Sequence, residues 1–206
     1  PSIAVAKELR EEPIWGFNKL LNYVKEKALN PKSLSEQELM GIVISIIMGY
    51  STLRLTEIHR AIAEKREGGT WQLLTQIIKV KGYKATLTFR PLADANVCQT
   101  FWLQQWFQRR RRENKDKPLW FISQKNRHAT YDECSKATHL IMKQAGIKDN
   151  PPVTSIRMSS ITKAIDQGAN KQQINRFSRH KQGSIIVQTN YDMNLNDTIR
   201  QRLAKL

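Results

Sequence analysis

Thr52-Leu53-Arg54-Leu55-Thr56-Glu57-Ile58 is the stretch on which the reading of this chain turns. It follows an apolar run in which Leu39, Val43, Ile46 and Ile47 fall at the i, i+4, i+7, i+8 spacing of a buried helical face. Ser35, with Glu38 three residues on, has capping-box spacing at the start of that run. Gly49 and Ser51 are expected to end the helix, and residues 56–64 to resume as another. Arg54 then stands at a helix–helix junction. A guanidinium anchored in a packed corner is positioned in advance, as electrostatic catalysis requires.

Outward from this junction the pattern is mostly helical. Upstream, Trp15, Leu20 and Val24 are expected to line one face of a helix that stops before Pro31. Downstream, Gly68-Gly69 breaks the helical pattern. Residues 73–80 and 85–89 are rich in β-branched and apolar side chains around Lys81-Gly82-Tyr83-Lys84, which predicts a strand–turn–strand closed by Pro91. Val97, Phe101, Trp102 and Trp106 predict a partly buried helix, and residues 109–117 an exposed charged loop or frayed helix end. The last third reads as helices with stops at Gly146 and Gly168 and an N-cap at Asn170. Leu195, Ile199 and Leu203 lie four apart, in the manner of a short amphipathic helix. The expected class is mainly α with a small antiparallel β-sheet (α+β), as one domain over residues 1–206.

Composition narrows the function. The 206 residues suit one well-buried domain, with 40% hydrophobic and 25% charged residues. No apolar run reaches the ~20 residues that cross a bilayer. Cys98 and Cys134 are too few for a disulfide framework and lack metal-spaced histidines, so a reduced, intracellular setting without metal or cofactor is expected. The chain opens at Pro1 without a methionine and is read as an excised fragment. Lys and Arg total 34 against 18 Asp and Glu, a net charge of +16. Such an excess points to a polyanion, here nucleic acid, rather than a merely basic protein.

Three further residues complete a chemical set with Arg54. Arg157 lies in Thr154-Ser155-Ile156-Arg157, just after Pro151-Pro152. His180 closes Phe177-Ser178-Arg179-His180, and Tyr191 follows Gln188-Thr189-Asn190 near the C-terminus. A phosphodiester repels nucleophiles through its nonbridging oxygens, and its transition state gathers more charge there. Arginine offers a planar fork that stays charged, so Arg54 and Arg157 are candidates for clamping those oxygens. A tyrosine phenol attacks phosphorus once it loses its proton, and the phosphotyrosine formed stores the bond energy without ATP or metal. His180 can bond a nonbridging oxygen or assist that proton. Tyr23, Tyr50, Tyr83 and Tyr131 sit in apolar or turn contexts consistent with packing. His59, His128 and His139 read as capping or core histidines. Taken singly, each arginine reads equally as a phosphate-backbone contact.

In this order, from about residue 35 to Tyr191, these boxes resemble the catalytic domain of the tyrosine recombinases, the phage-integrase family. The family's first box, roughly Gly-Leu-Arg-x-Ser-Glu-Leu, is matched by residues 52–58. Its second box, His-x-x-Arg, followed by a helix, a Leu-Gly-His-like turn and a tyrosine, is matched around Arg157, His180 and Tyr191. Residues 118–123 followed by 131–147 are similar to the segment before that box. The resemblance implies a nucleophilic Tyr191 and a lysine that protonates the leaving 5′-oxygen. Lys81 corresponds to that lysine, with Lys79 and Lys84 as alternatives. It implies double-stranded DNA as partner, an N-terminal core-binding domain absent from this chain, and a homotetramer on DNA. Residues 192–206 either exchange between protomers or pack in cis. The match departs from the family where Thr154 replaces the second-box histidine and where Ser178 and Arg179 replace small residues. His180 and Tyr191 are also spaced slightly wide. The chain is similar to a divergent member, of the mobile-element branch that includes DIRS-like retroelements. A type IB topoisomerase and a binding module that lost its chemistry are the other readings.

Overall fold

The computed structural model describes residues 14–77, 84–109 and 118–179. Their order is α1 (Phe17–Lys27), α2 (Glu36–Ser51), α3 (Leu55–His59), β1 (Ile62–Lys65), β2 (Trp71–Gln76), β3 (Lys84–Phe89), α4 (Gln99–Arg109), β4 (Phe121–Ile122), β5 (Arg127–His128), α5 (Tyr131–Gln144), α6 (Ser155–Asp166) and α7 (Lys171–Ser178). The expected mainly α domain with a small antiparallel sheet is what forms. None of the described helices is long and apolar enough to cross a membrane.

Helix α2 is the axis of the core. Ser35 accepts the Glu38 N–H while the Glu38 carboxylate takes the Ser35 N–H at 2.9 Å, so the expected capping box is present. Burial extends beyond one face, because Met40, Gly41, Ile42, Ile44, Ser45 and Met48 are buried as well. Helices α3, α4, α5 and α6 pack around it. Two glycines set the approach: a Cβ at Gly41 would strike the Ala137 carbonyl of α5, and one at Gly49 would strike the Phe17 ring of α1. Gly49 is therefore not a stop but a packing residue within the helix. The helix ends at Thr52, which takes a left-handed conformation with φ 53°.

Two other expectations are corrected. Trp15 precedes α1 rather than lying on it, and the buried face is Phe17, Leu20 and Val24. Residues 56–64 do not form one helix. Thr75 Oγ1 donates to the Glu57 carbonyl (2.5 Å) and Trp120 Nε1 to the Ile58 carbonyl (2.7 Å). These donors occupy the carbonyls that a longer α3 would turn inward, and Ile62–Lys65 instead pairs with β2 as an edge strand. Arg109 is the last residue of α4, which agrees with the helix-end alternative. Its guanidinium donates to the Leu34 carbonyl at 2.9 Å, while residues 110–117 lie outside the described residues.

The sheet has the order β1-β2-β3, all antiparallel, with Trp71 opposite Phe89 and Gln76 opposite Lys84. Along β2, Trp71, Leu73 and Thr75 are buried and alternate with half-buried neighbours, the period of a sheet with one face on a core. Trp102, Trp106 and Trp120 are fully buried, and each indole N–H has a carbonyl acceptor, on Asn96, Leu119 and Ile58.

Candidate active site

The first half of the site is built at the α2–α3 junction. Leu53 and Leu55 are buried and fix the backbone on either side of Arg54. Arg54 is the residue before α3, and its N–H donates to Glu57 Oε2 at 2.8 Å. The Glu57 carboxylate also lies 3.9 Å from Arg54 Nη1, with the Glu57 side chain 4% exposed and that of Arg54 29%. A buried acid thus steers a guanidinium whose far end reaches the surface. Glu57 was quoted in the sequence run but not singled out; its signal was an acid three residues after a helix-entering arginine.

The second half is the first turn of α6. Thr154, exposed and in a helical conformation, accepts the Arg157 N–H on its carbonyl, and its hydroxyl makes no cap bond. Arg157 is 6% exposed. Ser155 and Ser159, four apart on α6, hold the chain entering α1. Trp15 Nε1 donates to Ser155 Oγ (3.0 Å), and Ser159 Oγ donates to the Trp15 carbonyl (2.6 Å).

Helix α7 packs on α6 and reaches the α2–α3 junction. The short connection after α6 passes Gly168 (φ 88°), and Asn170 opens α7 in a capping box with Gln173. Ile161 and Ile174 share a small apolar cluster with Ala164, Ile165, Ala169 and Phe177. Through this cluster α7 packs against α6. The end of α7 meets the α2–α3 junction: Thr52 Oγ1 donates to the Phe177 carbonyl (3.1 Å), and Arg179 Nη2 donates to Thr52 Oγ1 (3.3 Å). Thr52 lies two residues before Arg54. Neither Thr52 nor Arg179 was named as a site residue from sequence, because nothing local signals a contact between positions this far apart.

His180, the next residue after Arg179, lies outside the described residues, as do Tyr191, Lys81, Lys79 and residues 192–206. Lys84 opens β3 as an exposed residue opposite Gln76. Other tyrosines are engaged elsewhere. Tyr23 donates to Gln144 Oε1, and burial pushes its phenol up to about 12; burial likewise raises that of Tyr50. Tyr131 is not packed away as expected: it is 45% exposed, edge-on to His59. His59 Nε2 is 2.8 Å from the Ala129 carbonyl and His139 Nδ1 3.0 Å from that of Ser135. Burial, with His59 alongside, lowers the pKa of His128.

No protein-family model and no curated protein matches the sequence. Solved structures do match. The crystal structure of XerA recombinase aligns over 93% of this chain and 64% of its own, with a TM-score of 0.64 and 15% identity. XerH site-specific recombinase, bound to palindromic difH substrate in a post-cleavage complex, aligns over 94% of this chain and 52% of its own, with a TM-score of 0.62 and 16% identity. A lambda integrase(75-356) dimer bound to a COC′ core site aligns over 91% and 62%, with a TM-score of 0.57 and 14% identity. The chain spans between about half and two thirds of the length of these proteins. From the axial helix α2 to the α6–α7 hairpin, then, this chain has the fold of a tyrosine recombinase catalytic domain.

Proposed function

We propose that the chain cleaves and rejoins DNA strands by site-specific recombination through a 3′-phosphotyrosyl intermediate. The observation that carries this reading is the stitch at Thr52, which ties the end of α7 to the junction that presents Arg54, within the catalytic-domain fold. Arg54 precedes α3 and Arg157 lies on α6, and both helices pack on α2. Duplex DNA as the partner is supported by the net charge of +16 and by the XerH and lambda integrase structures, both of which hold DNA.

In the proposed reaction Arg54 and Arg157 bind the nonbridging oxygens of the scissile phosphate. The Tyr191 oxygen forms the new bond to phosphorus as the bond to the 5′-oxygen breaks. His180 bonds a nonbridging oxygen and assists removal of the phenol proton, and Lys81 protonates the departing 5′-oxygen to give the 5′-hydroxyl. The reverse sequence, with a partner strand's 5′-hydroxyl attacking the phosphotyrosine, rejoins DNA. Thr154 supplies only a hydroxyl where an imidazole is otherwise expected. The working assembly is a tetramer on two duplexes, with residues 192–206 exchanged between protomers or packed in cis.

The test is incubation with a pool of nicked duplexes carrying randomised arms, followed by SDS. An adduct that survives SDS and is lost in Tyr191→Phe is the expected result. Arg54→Ala and Arg157→Ala are expected to slow its formation by about 10²-fold or more while duplex binding persists. Rapid relaxation of supercoils without synapsis would replace this reading by a type IB topoisomerase. Binding without any adduct would leave a module that has kept the fold and lost the chemistry.

A further inference from the structure

Five described residues other than glycine adopt left-handed backbone: Thr52, Asn126, Asp149, Asn150 and Arg179. Asn and Asp tolerate this region through their short polar side chains, whereas a β-branched threonine and a long arginine do not. The two residues without that tolerance are the two that meet, across one hydroxyl, where α7 joins the α2–α3 junction. Strain concentrated at one point is a pointer to a functional constraint.

We propose that Arg179 is a third guanidinium of the phosphate site, supplying the charge that Thr154 does not. The inference rests on the strand-cleavage reading above. Arg179 caps α7 with φ 57° and ψ 36°, where glycine ordinarily sits. Thr52 Oγ1 accepts from one nitrogen of the Arg179 fork at 3.3 Å. Thr52 is two residues from Arg54, at most about 7 Å of chain. Arg157 lies on α6, which packs on both α7 and α2. Glu57 is the buried carboxylate associated with Arg54, and Arg179 is fastened two residues from that arginine. Like charges held close together repel in a medium poorer than water, and a phosphate relieves the repulsion. The relief grows as the phosphorane gathers charge, so the third cation favours the transition state over bound substrate.

The experiment uses a nicked duplex recovered from the randomised pool, first with its natural scissile phosphate. Arg179→Gly is the informative variant, because glycine suits the left-handed cap and keeps the fold. It is expected to form adduct about 10²-fold more slowly, to bind the duplex within a few-fold of wild type, and to unfold at an unchanged or higher temperature. Arg179→Lys is expected to recover part of the rate. A second duplex carries a methylphosphonate at the scissile position, which removes one nonbridging oxygen and the charge. On it the gap between wild type and Arg179→Gly is expected to close substantially, since less charge needs stabilising. The same gap on both duplexes means that Arg179 only fastens α7 to Thr52, and wild-type cleavage by Arg179→Gly removes it from the chemistry. Either result overturns the assignment alone. A wild-type protein that forms no adduct overturns the cleavage reading, and this inference falls with it.

Discussion

Thr52 shows how much a single hydroxyl can carry. Its oxygen donates to the Phe177 carbonyl and accepts from Arg179, so one side chain serves both sides of the junction. Thr52→Val keeps the shape and removes both bonds, leaving the Phe177 carbonyl without this donor. A stability loss of about 1–3 kcal/mol is expected, read as a shift of the urea midpoint at constant slope. An unmoved midpoint would show that the stitch contributes nothing to stability. At this scale the sequence disclosed the cations but not their partners. Arg54 and Arg157 stand out because each sits beside a helix start. Glu57 carries a local signal three residues after Arg54, whereas Thr52 and Arg179 acquire meaning only when segments more than a hundred positions apart come together.

Among the elements, helix starts were legible and one helix end was not. The capping boxes at Ser35/Glu38 and Asn170/Gln173 rest on a local pattern that the structure reproduces. The overlong reading of α3 failed because Thr75 and Trp120, from β2 and the turn before β4, take its terminal carbonyls. A third capping box, Thr130/Glu133 at α5, does double duty. The Glu133 carboxylate accepts both terminal nitrogens of Arg127 at 2.8 Å and the Thr130 N–H, tying the β4–β5 hairpin to the helix. Arg127, then Lys125 and the Thr130 N–H, hold that carboxyl well below the usual carboxylate range. A folded-state pKa below the unfolded one means stability that is present above the unfolded value and lost as pH falls through the folded one. Glu133→Gln is therefore expected to be less stable than wild type at neutral pH. The difference should shrink on acidification below about pH 4. Because Arg127 and Lys125 are about half exposed, solvent screening keeps the effect modest. Urea midpoints for both proteins at neutral and acid pH check this, and a pH-independent difference would count against it.

For the molecule as a whole, charge is the property most openly displayed by the sequence. A net +16 on 206 residues implies binding dominated by released counterions. Duplex affinity is expected to fall by about 10³-fold or more between 50 and 200 mM salt, as it does for several phosphate contacts. Anisotropy titrations across that range measure the slope, and a flat response would mean that the charge is not there for DNA. The fold class was readable because four short boxes occur in one order along a mainly helical pattern. The all-round burial of α2 was not, since an apolar stripe on one face does not reveal how many neighbours will enclose the rest.

The latch between Trp15 and α6 has an optical consequence. Trp71, Trp102, Trp106 and Trp120 are no more than 2% exposed, while Trp15 is only partly buried, its indole held on Ser155. Iodide in solution reaches that one fluorophore and is screened from the other four. The native emission thus contains a reporter on the helix that bears Arg157, with no label added.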